Sequence, residues 1–214
     1  MQPDTQTETK GYTEKQKATC YTSKANDSFR TKMKMYLFHK AITQTWDSFS
    51  PEDFNSFQID QELVDRFTTE YWQELHDYTI NGLTISQIYK IMEEKGAEHK
   101  LLIESLRKEY VLKFNDVYEK DKFYRLLESQ KCEYCEITVN DIEQLAINRK
   151  LYKKNERGWK LEIDRINSNL EYKPDNCVMA CYWCNNAKTD EFTYEEFKEI
   201  GKEIRKVWET RLKK

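Results

Sequence analysis

The sequence of 214 residues is poor in the residues that make turns. It contains five glycines and three prolines, whereas average usage in a chain of this length would give about 15 and about 11. This shortage argues against an all-β sandwich, a collagen-like chain and a Pro/Gly-rich linker protein, and it favours helices. Aromatic residues are abundant, with 14 tyrosines, ten phenylalanines and five tryptophans, which argues against disorder over the whole chain.

Long hydrophobic runs are also missing. The longest run spans Cys177–Cys184 and has eight members, whereas a helix that crosses a bilayer needs about 20. Residues 1–24 are polar and lack the apolar stretch of a secretory signal. We therefore expect a cytoplasmic protein without a membrane partner. In that reducing compartment, paired cysteines more often bind metals or act as redox centres than form structural disulfides.

The charge is balanced, with 38 acidic and 35 basic residues, so a surface for nucleic acid must be a local patch. One candidate patch is a basic segment that also carries aromatic side chains. Such a segment suits phosphate contact and base stacking, and the alternative is a solvated charged face. Its basic and aromatic members are Arg149, Lys150, Tyr152, Lys153, Lys154, Arg157, Trp159 and Lys160.

Three segments follow from the hydrophobic pattern. Residues 1–27 are polar without a period and are predicted to form a flexible tail. Residues 28–124 carry apolar side chains at helical spacing and are predicted to form a helical domain, whose stripes we interpret as core packing. Within it, Ser50 and Pro51 indicate a helix start, and Gly96 indicates a helix end. This domain is also the candidate surface for a protein partner or for self-association.

Residues 125–214 differ in pattern from the helical domain. Residues 159–166 alternate between apolar and polar side chains, as in a strand, and residues 176–180 can form the returning strand. A helix can begin near Asn185. The capping-box pair Thr193 and Glu196 predicts the start of a C-terminal helix.

Four cysteines form two Cys-x-x-Cys pairs, Cys132 with Cys135 and Cys181 with Cys184. Two such pairs can supply the closed tetrahedral sulfur shell that structural zinc prefers. A thioredoxin-like redox pair or four unrelated buried cysteines are the alternatives, but two copies in one chain favour zinc. The 45 residues between the pairs exceed the spacing of a plain zinc ribbon, so a further element is inserted between them.

That insert and the second pair carry a recognisable order of residues. It reads Leu161-Glu-Ile-Asp-Arg-Ile-Asn167, then Asp175-Asn-Cys-Val178, then Cys181-Tyr-Trp-Cys-Asn-Asn-Ala-Lys-Thr-Asp190. About residues 131–190 resemble the HNH endonuclease family, in which a ββα-metal module sits between two such cysteine pairs. The resemblance implies a small zinc-stabilised ββα-metal domain. Together with the helical pattern of residues 28–124, it predicts an α+β, predominantly helical chain in which an N-terminal helical domain precedes this domain and a C-terminal helix follows.

The resemblance also implies roles for individual residues. Asp164 and Asn185 fall at the positions that bind the catalytic cation, and their oxygens suit Mg²⁺ or Mn²⁺. Asn176 falls at the asparagine that braces the loop, and Lys188 falls at a lysine near the phosphate backbone. The general-base histidine of the family is replaced by Arg165, which cannot accept a proton near neutral pH.

A substitute base is therefore needed for vigorous cleavage, since loss of a general base typically costs about 10²- to 10⁴-fold. The candidates are Glu162, which shares a strand face with Asp164, a path through bulk solvent, or a histidine from the helical half. Arg165 could instead clamp phosphate oxygens. The three histidines are His39, His76 and His99.

The sequence thus predicts a metal-dependent endonuclease that hydrolyses phosphodiester bonds in nucleic acid, with double-stranded DNA as the expected substrate. One alternative is a non-catalytic nucleic-acid-binding module of the same fold, in which Arg165 contacts phosphate. In a second alternative, the zinc unit has only a structural role, and the helical domain binds a protein partner. The predicted contacts to nucleic acid are Lys188, Lys153, Lys154, Arg157 and Lys160.

Overall fold

The structure is a computed structural model, and it describes residues 11–68, 79–151 and 157–213. Helices dominate, and two short strands pair in an antiparallel sheet, which confirms the predicted α+β, predominantly helical class. The helices and strands are α1 (Glu14–Thr43), a 3₁₀ turn (Trp46–Ser48), α2 (Pro51–Ser56), α3 (Gln61–Thr68), α4 (Ile85–Glu98), α5 (Lys100–Leu112), α6 (Phe114–Val117), α7 (Lys120–Leu127), α8 (Val139–Ile147), β1 (Glu162–Arg165), β2 (Cys177–Ala180), α9 (Tyr182–Lys188) and α10 (Tyr194–Lys213).

The chain divides into two units that do not follow the predicted boundaries. The helical unit comprises residues 22–117 and 169–172. The cysteine unit comprises residues 118–168 and 173–214 together with the chain before residue 22. Helix α7, which the sequence divides between the predicted domains, therefore lies wholly in the cysteine unit. The four residues 169–172 come from the connection between β1 and β2.

Helix α1 begins at Glu14, inside the segment that the sequence predicts as a flexible tail to residue 27. Residues 1–10 lie outside the described part of the chain. The tail prediction differs from the structure because several buried residues of α1 are polar, which hides the helical period. Lys17 is 8% exposed and pairs with Glu128 at 2.8 Å, and the Tyr21 hydroxyl donates to the Tyr118 carbonyl at 2.7 Å.

The helical unit has a core on two sides of α1. One cluster joins α1 to α3 and α4, and the other joins α1 to α2 and α5. Because both sides are covered, only a narrow strip in the middle of α1, which includes Arg30 and Lys34, is exposed. The first cluster contains Met35, Phe38, Ala41, Ile42, Leu63, Val64, Phe67, Ile80, Ile85, Ile88 and Met92, and the second contains Phe29, Met33, Tyr36, Phe49, Phe54 and Leu106.

Of the two helix boundaries predicted in this unit, one is confirmed and one is wrong. The predicted start of α2 is confirmed, because Ser50 accepts a hydrogen bond from the Asp53 backbone at 3.1 Å and Pro51 opens the helix. The predicted stop at Gly96 is wrong, because α4 continues to Glu98. A methyl group added at Gly96 would have Leu37 of α1 as its neighbour, at 3.9 Å, so this glycine is accommodated within a packed helix.

In the cysteine unit, β1 and β2 pair so that Glu162 lies opposite Ala180 and Asp164 opposite Val178. Helix α9 follows β2 after one residue, which completes a ββα arrangement. Helix α10 contacts α8 and packs Phe197 and Trp208 into the interior. Within the described residues, none of the helices has both the length and the apolar character needed to cross a bilayer.

Candidate metal centre and adjoining polar site

The four cysteines of the two pairs converge on one point. Their sulfur atoms all lie within 4.8 Å of one another, and Cys135 Sγ lies 3.6 Å from Cys181 Sγ. A tetrahedral ion with metal–sulfur bonds of about 2.3 Å requires sulfur–sulfur separations of about 3.8 Å. All four side chains are buried. The cluster can therefore hold one metal ion in a closed sulfur shell.

Local backbone structure brings each pair to this point. The first pair lies in a tight turn, in which the Glu136 N–H donates to the Cys132 carbonyl at 3.0 Å and Glu136 adopts φ 59°. The second pair lies at the start of α9, where Cys181 is the N-cap and its sulfur accepts from the Cys184 backbone at 3.5 Å. Two residues between the cysteines suffice in both cases because a turn and a first helical turn each fold back within that length.

The thiols depend strongly on one another. Hydrogen bonds from Cys135, Cys181 and Cys184 lower the pKa of Cys132 well below its ordinary value. Hydrogen bonds with Cys132, and then with Cys135, raise the pKa of Cys181 and Cys184. A bound cation is what allows all four sulfurs to be negative.

A polar site adjoins the cluster on the face of β1 that α9 covers. Glu162 and Asp164 are two residues apart on β1 and therefore share a face. Asn185 and Lys188 are three residues apart on α9 and also share a face. Asn185 contacts Glu162, and Lys188 contacts Asp164. Three residues singled out by the resemblance to HNH endonucleases, Asp164, Asn185 and Lys188, thus lie together with the candidate base Glu162.

Asp164 lies in a largely buried position, with its side chain 13% exposed. The Tyr134 hydroxyl donates to its Oδ2 at 2.6 Å, and Lys188 Nζ lies 3.8 Å from the same oxygen. Burial raises the pKa of Asp164, although the hydrogen bond from Tyr134 and the charge of Lys188 oppose this shift. Burial also raises the pKa of Tyr134, and the bond to Asp164 raises it further, so this hydroxyl remains a donor.

Lys188 is itself only 3% exposed, and its Nζ donates to the Arg165 carbonyl at 3.1 Å. It therefore joins α9 to β1 from the inside. A direct contact between Lys188 and a phosphate stays a prediction.

Glu162 has both carboxylate oxygens engaged. Arg157 donates from Nε to Oε1 at 3.1 Å and from Nη2 to Oε2 at 2.7 Å. The Asn185 amide Nδ2 donates to Oε2 at 2.8 Å. A role for Glu162 as general base stays a prediction, and it requires that at least one of these bonds be released.

Asn176 closes the connection between β1 and β2. Its amide accepts from the Asn167 N–H at 2.8 Å and donates to the Asn167 carbonyl at 3.0 Å, and it is 5% exposed. Arg165 ends β1, where strand alternation directs its side chain to the face opposite Glu162 and Asp164. The proposed contact between Arg165 and phosphate stays a prediction.

The basic segment is described only in part. Lys153 and Lys154 lie outside the described residues. Lys160 Nζ donates to the Gly11 carbonyl at 3.0 Å and to Gln16 Oε1 at 2.9 Å, so it is engaged by the chain that precedes and opens α1. Contact of these lysines with nucleic acid stays a prediction.

The histidines that the sequence offers as substitute bases belong to the helical unit where they are described. His39 packs against Phe57 with ring centroids 5.5 Å apart, and His99 stacks on Phe49 at 4.2 Å. His76 lies outside the described residues.

Tyr134 also belongs to this site, although no sequence pattern singled it out. It is one of the two residues between Cys132 and Cys135, and its bond to Asp164 spans 30 residues. Aromatic side chains are frequent throughout this chain, so composition gave no signal for this one.

A divalent cation fits the donor chemistry of this polar site. Asp164 offers a carboxylate and Asn185 an amide oxygen, which are ligand types that Mg²⁺ and Mn²⁺ accept. Because the Asn185 nitrogen faces Glu162, its amide oxygen points away from that carboxylate. In the arrangement described here, Arg157 and Lys188 supply the positive charge beside the two carboxylates.

Comparison with known proteins gives partial similarities. No family model matches this sequence. A stretch of 108 residues, 50% of this chain, is 33% identical to the uncharacterized protein R423 of Acanthamoeba polyphaga mimivirus, and it spans 16% of that protein's length. The structure of the rare-cutting HNH restriction endonuclease PacI overlaps 43% of this chain and 65% of its own, at 28% identity and a TM-score of 0.36. A TM-score of this size does not define a shared fold.

Proposed function

We propose that this chain is a metal-dependent endonuclease that hydrolyses phosphodiester bonds in double-stranded DNA. The observation that carries the proposal is the meeting of Glu162 and Asp164 on β1 with Asn185 and Lys188 on α9. The ordered motif from Leu161 to Asp190, which resembles HNH endonucleases, supports the same function.

The sulfur cluster is proposed to hold structural Zn²⁺. Four buried thiolates in a closed shell match the preference of zinc, and such a shell leaves no open position for a substrate. Since Cys181 caps α9, the zinc would fix the start of the helix that carries Asn185 and Lys188. Its role is therefore to hold the polar site in shape.

The polar site is proposed to hold Mg²⁺ or Mn²⁺ between Asp164 and Asn185. When bound, this cation would supply charge neutralisation at the phosphate and support for the departing oxygen. Tyr134 and Lys188 orient the Asp164 carboxylate, and Asn176 braces the connection that follows β1. Arg165 is proposed as a further contact to phosphate, and Lys153, Lys154, Arg157 and Lys160 as contacts along the DNA backbone.

Hydrolysis also needs proton transfer. The oxygen of water forms a bond to phosphorus, the bond from phosphorus to the leaving oxygen breaks, and the proton of the water moves to a base while the leaving oxygen gains a proton. Glu162 is the proposed base because it lies beside Asp164 on the same strand face.

The proposal is tested with supercoiled plasmid and the zinc-loaded chain in Mg²⁺ or Mn²⁺. We expect nicked or linear product from the natural chain and a loss of at least about 10²-fold with Asp164→Ala. Asp190→Asn, an exposed acid of the same unit, is the control and should cleave at the natural rate. Cleavage that persists unchanged in Asp164→Ala would mean that this residue is not a ligand.

A second candidate function is supported by the bonds to Glu162. Because both of its oxygens are engaged and Arg165 cannot act as a base, the same fold could bind nucleic acid without cutting it. Salt-sensitive binding of a DNA duplex, together with no cleavage in any divalent metal, would support this function instead.

A further inference from the structure

The pair formed by Arg157 and Glu162 has a geometry that a phosphate can reproduce. The guanidinium contacts the carboxylate through two parallel hydrogen bonds, at 3.1 Å and 2.7 Å. Arginine binds carboxylates and phosphates with this same two-point geometry, since both present a pair of oxygens at similar spacing. The guanidinium could therefore move from one to the other without losing its hydrogen bonds.

Because Arg157 is exposed, its release from Glu162 requires little free energy. The Arg157 side chain is 58% exposed, whereas that of Glu162 is 21% exposed. Exposed ion pairs contribute little to stability, so the pair is weakly held compared with a buried one. The guanidinium also lies 5.2 Å from the centre of the Tyr182 ring at the start of α9, at the border between the polar site and solvent.

Release of Arg157 would change the charge of the strand face. With Arg157 on Glu162 and Lys188 near Asp164, each carboxylate of β1 has a cationic neighbour. Without Arg157, Glu162 keeps its bond to Asn185, which holds one of the proposed metal ligands. The face then carries one more uncompensated negative charge, which strengthens its attraction for a divalent cation.

We infer that Arg157 acts as a latch that the substrate releases. It neutralises Glu162 in the free protein and transfers to a backbone phosphate when nucleic acid binds. This inference rests on the proposed function. It makes nucleic acid and the divalent cation bind cooperatively, because each favours the state in which Arg157 has left Glu162. It also keeps Glu162 from acting as a base until substrate is present.

The first test measures Mn²⁺ binding by the full zinc-loaded chain without nucleic acid, from the electron paramagnetic resonance signal of free Mn²⁺. We expect Arg157→Gln to bind Mn²⁺ about tenfold more tightly than the natural chain, because Glu162 loses the cation that neutralises it. Arg125→Gln, an exposed arginine of the same unit, is the matched control and should leave the affinity unchanged. In a Glu162→Gln background, Arg157→Gln should add no further gain.

The second test measures binding of a fluorescein-labelled 20-base-pair duplex by anisotropy, without added Mg²⁺ or Mn²⁺ so that no cleavage occurs. Loss of one phosphate contact in Arg157→Gln should reduce the slope of log affinity against log salt by about 0.9. Arg157→Lys should restore most of the slope, because it keeps the charge.

The outcomes separate the latch from the proposed function. If Arg157→Gln binds Mn²⁺ like the natural chain while Asp164→Ala abolishes binding, the metal site stands and the latch is overturned. An unchanged salt slope in Arg157→Gln likewise overturns the transfer to phosphate. If none of the variants binds Mn²⁺ beyond the zinc site, both the metal site and the latch are wrong.

Discussion

At the scale of single residues, the hydroxyl of Tyr134 has an unusual position for a side chain between two cysteines. It donates to a carboxylate that is largely withdrawn from water, with Lys188 3.8 Å from the same oxygen. Hydrogen bonds to charged groups contribute more than neutral ones, and a buried acceptor left without its donor is costly. Tyr134 therefore supports both the stability of the cysteine unit and the orientation of Asp164.

Tyr134→Phe is expected to lower the free energy of unfolding by about 2 kcal/mol, because it removes this donor while preserving the ring. Urea unfolding measures the change. Tyr194→Phe is the matched control, since the Tyr194 hydroxyl also donates to a carboxylate, Glu133, at 2.6 Å, but one that is 36% exposed. Its cost should stay below about 0.5 kcal/mol. Equal losses in the two variants would contradict the role assigned to Tyr134.

At the scale of elements, two glycines inside helices differ in what surrounds them. A Cβ atom added at Gly96 of α4 would lie 3.9 Å from Leu37 Cδ1, which is an ordinary van der Waals distance. Gly201 of α10 packs closely on the turn that holds Cys132 and Cys135. A Cβ atom added at Gly201 would clash with the Tyr134 carbonyl oxygen. Helix α10 can approach that turn only because residue 201 has no side chain.

The two glycines therefore predict opposite effects of the same substitution. Gly96→Ala should raise the free energy of unfolding by about 0.5–1 kcal/mol, since alanine favours helix and no neighbour has to move. Gly201→Ala should lower it by about 1–3 kcal/mol, because α10 or the cysteine turn must shift. Thermal unfolding followed by circular dichroism measures both. A stabilising Gly201→Ala would show that α10 does not pack closely on the turn.

At the scale of the whole molecule, the two units are stabilised in different ways. Among its described residues, the helical unit has two apolar clusters built from α1 to α5, and none of the four clustered cysteines belongs to it. The cysteine unit is built around a short sheet, and the two cysteine pairs join its first turn to the start of α9. Metal binding in such units is itself a large part of the free energy of folding.

Removal of the metal should therefore affect the two units unequally. We expect a strong chelator to release one Zn²⁺ per chain and to reduce the helical signal only in part, because the helical unit keeps its own core. Cys132→Ser should show the same loss and bind no zinc. Cys177→Ser is the control, since Cys177 is buried on β2 outside the cluster, and should keep one zinc. Loss of the whole helical signal on chelation would contradict this division.

Much of this protein could be inferred from its chain alone. Scarce glycine and proline indicated helices, Ser50 and Pro51 marked the start of α2, and the cysteine spacing indicated one sulfur cluster. These features are local or periodic, and turn geometry and helical repeat act over a few residues. Their physical basis is thus contained in neighbouring positions.

Other features required the folded chain. The start of α1 was hidden because polar residues such as Lys17 are buried against partners distant in sequence. Helix α4 continues through Gly96, where Leu37 of α1, distant in sequence, is the neighbouring side chain. The contact of Tyr134 with Asp164 and that of Asn185 with Glu162 join positions 30 and 23 residues apart. Such contacts depend on how strands and helices pack in space, which spacing along the chain does not encode.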